Sequence, residues 1–269
     1  MVNLPINQII CGDNVATMQS FPDDCIDLVV TSPPYDNLRT YSAGKPIEEL
    51  WNFEAVAQQL WRIIKPGGVV VWVVNDATVN GSETGTSFRQ ALRFMEIGFR
   101  LHDTMIWHRI SPFPESNRYQ PAFEYMFVLT KGKVATFNCL KDRPTQNPGS
   151  RERSRMERQP DGKIRRPQRT FQTAELAART NVWRVVSSGC ESNEHRELTL
   201  QHPATFSQAL ARDHILSWSN EGDIVLDPFS GSGTTAKMAR LMGRRYIGIE
   251  INPEYCEIAA ERLRQGVLF

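Results

Sequence analysis

A strand that breaks into a glycine turn and restarts as a helix constrains this chain more than any other stretch. Ile224-Val225-Leu226 is a short aliphatic and β-branched run of the kind buried in a parallel sheet. It ends at Asp227-Pro228, passes through Phe229-Ser230-Gly231-Ser232-Gly233-Thr234-Thr235, and continues into residues 236–241, whose apolar positions have helical spacing. Strand, tight glycine turn and helix, in that order, present backbone N–H groups and a helix N-terminus to a ligand at the edge of a doubly wound sheet. A second strand, Tyr246-Ile247-Gly248-Ile249-Glu250, follows and ends on a carboxylate placed to bind ribose hydroxyls. The glycines do not have the spacing of a dinucleotide fold, which disfavours a dehydrogenase. An ordinary strand–helix corner explains a glycine turn alone, but not the turn, the helix and the acid-tipped strand together.

The other half of the chain carries a second motif. Residues 25–30, Cys-Ile-Asp-Leu-Val-Val, read as a strand that delivers Thr31-Ser32-Pro33-Pro34-Tyr35. Two consecutive prolines fix φ and remove two donors, so Ser32 and Pro33 keep carbonyls free to point outward. A rigid loop with free acceptors and one aromatic ring suits a base flipped out of a duplex: the acceptors orient an exocyclic amine while Tyr35 stacks on the ring. A proline-rich turn ending a strand is the plainer reading of this loop on its own. Earlier still, residues 8–13 read as a strand ending in Gly12-Asp13, which puts Asp13 either at the ligand-binding edge or at the N-cap of the helix that follows.

Together these residues resemble a known family. Residues 227–235, followed by Gly248-Ile249-Glu250-Ile251-Asn252, look like the S-adenosylmethionine site of bacterial and phage DNA amino-methyltransferases, and Thr31-Ser32-Pro33-Pro34-Tyr35 looks like that family's catalytic motif. The catalytic motif precedes the cofactor motif, the permuted order of the beta group. The likeness runs from about Ile9 to Arg262 and thins between Lys141 and Val182. It implies an α/β, Rossmann-like methyltransferase fold with a mostly parallel, doubly wound sheet in permuted order. It implies catalytic roles for Ser32, Pro33, Pro34 and Tyr35. It also implies S-adenosylmethionine contacts from Asp13, His202, Asp227, Pro228, Phe229, Gly231, Ser232, Gly233, Thr234, Glu250 and Asn252, and no metal. His202-Pro203-Ala204 resembles the family's element near the methionine end of the cofactor, although a lone histidine before a helix is more often structural. The expected reaction is methyl transfer to an exocyclic amino nitrogen in double-stranded DNA. Serine at the head of Ser-Pro-Pro-Tyr points to cytosine N4 slightly ahead of adenine N6. A methyltransferase acting on protein, RNA or a small molecule, and a DNA-binding protein that has lost catalysis, are the competing expectations.

The length, 269 residues, suits one large α/β domain with an insertion. The α/β rhythm fails from Lys131 to about Asn181, and the resemblance implies a catalytic half at 1–130, a target-recognition insert at 131–181 and a cofactor-binding half at 182–269. Between Lys141 and Arg169 ten Lys and Arg face four acids, a surplus of six in a chain whose net charge is +1. Concentrated positive charge is the footprint of a polyanion partner, and arginine forks suit guanine edges or phosphates. Arg151, Arg153, Arg155, Arg165 and Arg166 in the insert, with Arg39 beside the catalytic loop, are the candidate DNA contacts; a solvated basic loop is the plainer reading of charge alone. The five cysteines form no CxxC pair and are odd in number, which predicts reduced thiols in a cytoplasmic protein. There is no signal-peptide pattern and no apolar run long enough for a bilayer. A homodimer and a partner restriction nuclease are left open.

Overall fold

The computed structural model describes residues 4–34, 51–109, 118–145, 148–154, 156–158, 160–165, 168–185 and 207–264. In chain order the elements are β1 (Gln8–Cys11), α1 (Asn14–Gln19), β2 (Ile26–Thr31), α2 (Phe53–Ile63), β3 (Ile64–Val74), β4 (Thr78–Val79), β5 (Ser82–Glu83), α3 (Thr86–Ile97), β6 (Arg100–Arg109) and β7 (Phe123–Thr130). There follow β8 (Lys141–Pro144), β9 (Gly149–Ser154), β10 (Glu157–Arg158), β11 (Ile164–Arg165), β12 (Gln168–Thr173), β13 (Leu176–Ala178) and β14 (Val182–Val185). The chain closes with α4 (Gln208–Trp218), β15 (Ile224–Asp227), α5 (Thr234–Leu241), β16 (Arg245–Glu250) and α6 (Pro253–Arg264). No helix among the described residues is long and apolar enough to cross a membrane.

The chain divides into two compact units, residues 1–138 with 181–269, and residues 139–180. In the first, eight strands form one sheet in the order β1-β16-β15-β2-β3-β7-β6-β14. Every neighbouring pair is parallel except the two made by β7, which runs against β3 and β6. The α/β expectation therefore holds. The central strands are buried on both faces, as near-continuous runs such as Val69 to Val74 require. α2 buries Val56, Ala57, Leu60 and Ile63 against the sheet and starts on an Asn52 side chain that accepts from the Ala55 N–H. Trp72, Phe94, Phe53 and Trp51 meet edge to face and fill the layer between α2, α3 and the sheet.

Two local features shape the sheet. Lys65-Pro66-Gly67-Gly68 lies within β3, where the register against β2 slips from Ile26–Ile64 to Leu28–Val69. Gly67 takes φ +83° at that irregularity, and the Lys65 Nζ bridges 2.5 Å to Asp27 Oδ1 beside it. Residues 182–185, as β14, form the sheet's last strand, parallel to β6.

The second unit is made of nested antiparallel pairs. β8 pairs with β13, β9 with β12 and β10 with β11, so the chain runs out and folds back on itself around residues 160–163.

The helix-layer connections set the ligand edge. From β15 the chain steps to β16 on one side, and from β2 it steps to β3 on the other, so the order reverses between the adjacent strands β15 and β2. Ligands of open α/β sheets bind outside the carboxyl ends of the strands at such a reversal.

Candidate active site

Both motifs found in the sequence end at this reversal. β15 delivers Asp227 and the glycine turn, and its neighbour β2 delivers Thr31 and then Ser32-Pro33-Pro34. Pro33 is buried, while Ser32 and Pro34 are half-buried at the exit of the strand. Tyr35, Arg39 and His202 lie outside the described residues, as do Arg155 and Arg166. Arg151 and Arg153 lie on β9 and Arg165 on β11; in register, Arg153 stands opposite Arg169, and Arg151 opposite Phe171.

The glycine turn is held tightly to the sheet. Gly231 and Gly233 take φ +50° and +77°, conformations open to glycine at little cost. A Cβ on Gly233 would lie 2.9 Å from the Ala259 Cβ of α6, and one on Gly248 would lie 2.6 Å from Ser230 Oγ. These two close approaches let the turn settle onto β16 and α6. α5 starts on Gly233 with no side chain capping it, so its first amides are available to a ligand. The Phe229 ring, half-buried, packs 4.9 Å from Trp51.

The carboxylate of Glu250 stands at the carboxyl end of the next strand. Its Oε2 accepts from the Gly231 N–H at 2.8 Å and its Oε1 from the Asn252 N–H at 2.9 Å. A carboxylate has about four acceptor positions, so these two bonds do not exhaust its acceptor capacity. Burial pushes its pKa up, against the pull of those backbone donors. Asn252 accepts from the Glu254 N–H and so fixes the start of α6. Asp13 is exposed and accepts from the Ala16 N–H at 2.7 Å, which is the N-cap arrangement of the two expected for it. Beside it, buried Asn14 donates to the Pro228 carbonyl at 3.1 Å, and the Gly12 N–H donates to the Glu250 carbonyl.

Sequence reasoning missed the residue that underlies the turn. Arg262 of α6 is 4% exposed, and its Nη1 donates to the Ser232 carbonyl, to Ser232 Oγ and to Thr234 Oγ1. One arginine thereby serves three acceptors of the glycine turn and the start of α5. An arginine within a helix that also carries Arg264 and Glu261 reads in sequence as a solvated charge.

Asp227 is also turned inward. It is 5% exposed and its Oδ1 accepts from Thr31 Oγ1 at 2.6 Å and from the Phe229 N–H at 3.1 Å. Burial pushes its carboxyl up to about 6, opposed chiefly by those hydrogen bonds, with the Glu250 charge adding a small push upward. A folded-state pKa above the ordinary 3.8 means that the stability tied to this group is present at low pH and is lost as pH rises through about 6. Asp227→Asn keeps an acceptor for Thr31 and never ionises. Its melting temperature relative to the unaltered chain is therefore expected to rise from pH 4 to pH 7, with a gain of about 2–3 kcal/mol at the upper end. Parallel melting curves across that range would show that Asp227 does not titrate in the fold.

Four of the five cysteines, Cys11, Cys25, Cys139 and Cys256, are free thiols, and the fifth, Cys190, lies outside the described residues. Among the described residues no three His, Cys, Asp or Glu side chains group as a metal site.

Residues 26–261 match the family model described as a DNA methylase of the N6/N4 methyltransferase type. The chain belongs to that family. The methylase is 53% identical over 248 residues to the orphan methyltransferase M.BamHII of Bacillus amyloliquefaciens, covering 91% of each chain. Its fold is that of the PvuII DNA methyltransferase (cytosine-N4-specific), with a TM-score of 0.70 at 23% identity over 94% of this chain and 85% of that one. A Thermus thermophilus protein solved in complex with S-adenosyl-L-methionine matches with a TM-score of 0.62 at 26% identity, covering 96% of the methylase and 95% of its own chain. The permuted, beta-group reading and the DNA methyltransferase activity stand with these matches. The glycine turn and the Ser-Pro-Pro loop both follow the carboxyl ends of the adjacent parallel strands β15 and β2.

Proposed function

We propose that this methylase transfers the methyl group of S-adenosylmethionine to the N4 amine of a cytosine flipped out of double-stranded DNA. The observation that carries the proposal is the delivery of Ser32-Pro33-Pro34 and of the glycine turn by two adjacent parallel strands at the sheet's switch point. The residues present fit the cofactor. Glu250 keeps acceptors for a ribose, the start of α5 is uncapped, and the cradle is built on glycines whose Cβ atoms would collide with its walls. Gly231, Ser232, Gly233 and Thr234 would line the nucleoside end, with Pro228 and Phe229 beside it, Asp13 and Asn252 at its rim and His202 toward the methionine end. When bound, S-adenosylmethionine supplies an electrophilic methyl group on sulfur.

The chain's own contribution is orientation. The exocyclic amine of cytosine has its lone pair delocalised into the ring. Acceptor bonds from Ser32 and the Pro33 carbonyl favour a more pyramidal nitrogen, Tyr35 holds the base by stacking, and Pro34 keeps the loop rigid. Methyl transfer breaks the sulfur–methyl bond, forms the nitrogen–methyl bond and releases one proton from the amine. Serine rather than an acidic or amide residue before Pro-Pro-Tyr favours N4 over adenine N6.

DNA is read by the arginine-rich nested hairpins, with Arg151, Arg153, Arg155, Arg165 and Arg166 as the contacts and Arg39 near the flipped base. In this reading residues 131–181 are the target-recognition insert between a catalytic half at 1–130 and a cofactor-binding half at 182–269. The protein works in the cytoplasm, where its DNA is. The name of the Bacillus amyloliquefaciens relative supports a solitary enzyme over one paired with a nuclease. Long-read modification sequencing of DNA from cells expressing the methylase is expected to return an N4-methylcytosine signal confined to one short motif. An N6-methyladenine signal at a single motif would overturn the choice of base.

A further inference from the structure

The catalytic strand and the cofactor strand are joined by a contact that neither motif announces. The backbone ladder between β15 and β2 registers Val225 with Leu28 and Leu226 with Val29, and no pair is registered beyond them. Beyond those pairs side-chain hydrogen bonds join the two elements. Thr31 Oγ1 donates to Asp227 Oδ1 at 2.6 Å, and Thr235 Oγ1 of α5 donates to the Val30 carbonyl at 3.2 Å. Thr31 is 0% exposed and Thr235 1% exposed, so both bonds are shielded from water. The same Asp227 oxygen also takes the Phe229 N–H at 3.1 Å, which fixes where the glycine turn begins. One carboxylate oxygen therefore sets the residue before Ser32 and the first residues of the cofactor turn at a common height.

We propose that Thr31 and Asp227 form a positioning pair that holds the Ser-Pro-Pro loop in line with the methyl donor, without touching substrate or cofactor. This rests on the reading of the site as an amino-methyltransferase centre. Methyl transfer needs nitrogen, methyl carbon and sulfur near a line, and a displacement of about 1 Å can cost about 10²-fold in rate. A hydroxyl bond on the last residue of β2 governs such a displacement directly, whereas ligand affinity depends on groups further along each loop.

The test compares Thr31→Val, which keeps the shape and removes the donor, with Thr31→Ser, which restores the hydroxyl. Single-turnover methylation of duplex DNA is measured beside S-adenosylmethionine affinity by calorimetry and DNA affinity by anisotropy. Thr31→Val is expected to lose about tenfold or more in the single-turnover rate, with both affinities within about threefold of the unaltered enzyme. Thr31→Ser is expected to recover most of the rate. A Thr31→Val rate equal to that of the unaltered enzyme, or a loss seen in cofactor affinity rather than in rate, would overturn the pairing. If Thr31→Val melts below the assay temperature, Thr31→Cys takes its place: its weak thiol donor is expected to give a rate at least about fivefold below that of Thr31→Ser, and equal rates would overturn the proposal. Failure of the underlying reading looks different, since the unaltered enzyme would then leave the DNA unmethylated.

Discussion

Replacing Ser32 by Ala is expected to slow methyl transfer by about 10²-fold or more while leaving the fold and the cofactor affinity unchanged. The size follows from what a single preorganised hydrogen-bonding group contributes when it acts on a reacting centre shielded from water. Ser32 follows the last residue of a buried strand and stands between Thr31, which is fully buried, and Pro33, so the backbone that carries it is set by its neighbours. Removing one hydroxyl there leaves the strand and both prolines in place. The effect belongs in the single-turnover rate, with S-adenosylmethionine affinity as the control. A Ser32→Ala enzyme that methylates at the unaltered rate would remove this side chain from the chemistry.

The second large effect is expected at Glu250. Glu250→Ala removes the acceptors for a ribose and also releases the Gly231 and Asn252 N–H groups, which fix the glycine turn and the entry to α6. Hydrogen bonds to a charged group contribute roughly 1–3 kcal/mol, so cofactor affinity is expected to fall about 5- to 150-fold. Glu250→Gln separates the two roles. Its carbonyl oxygen can keep one backbone bond while its amide must turn a donor toward the other, so its affinity is expected between those of the unaltered chain and Glu250→Ala. Calorimetry giving equal affinities for all three would place the ribose elsewhere.

The parts of this fold legible in the sequence are those in which one local pattern carries one physical demand. Val69 to Val74 is apolar without interruption because both of its faces are covered, and the Gly231 and Gly233 turn is written in residues that positive φ requires. Less legible were features that depend on a partner far along the chain. Nothing near Arg262 says that it reaches down to Ser232 and Thr234, and nothing near Thr31 says that its hydroxyl meets Asp227, 196 residues away. The strands inside the insert were hidden for another reason. Its strands run through arginine, glutamine and glycine, and exposed positions such as those of β8 lack the alternation of apolar residues that marks a half-buried strand. Its regularity lies in the nested pairing, which the backbone makes and composition does not record. Asp13 shows the converse case, where a short polar residue at a strand end suited two roles and the structure places it at the N-cap of α1.

The most direct measurement is the fate of a labelled methyl group. The methylase would be incubated with methyl-labelled S-adenosylmethionine and a mixture of duplex DNA, RNA and protein, and the recovered nucleosides and amino acids separated by mass. The expected result is label in DNA alone, on N4-methylcytosine, with the signal lost in Ser32→Ala. Label on the C5 carbon of cytosine, or in RNA or protein with none in DNA, would contradict the assignment of Ser32-Pro33-Pro34 and the glycine turn as one DNA amino-methyltransferase centre.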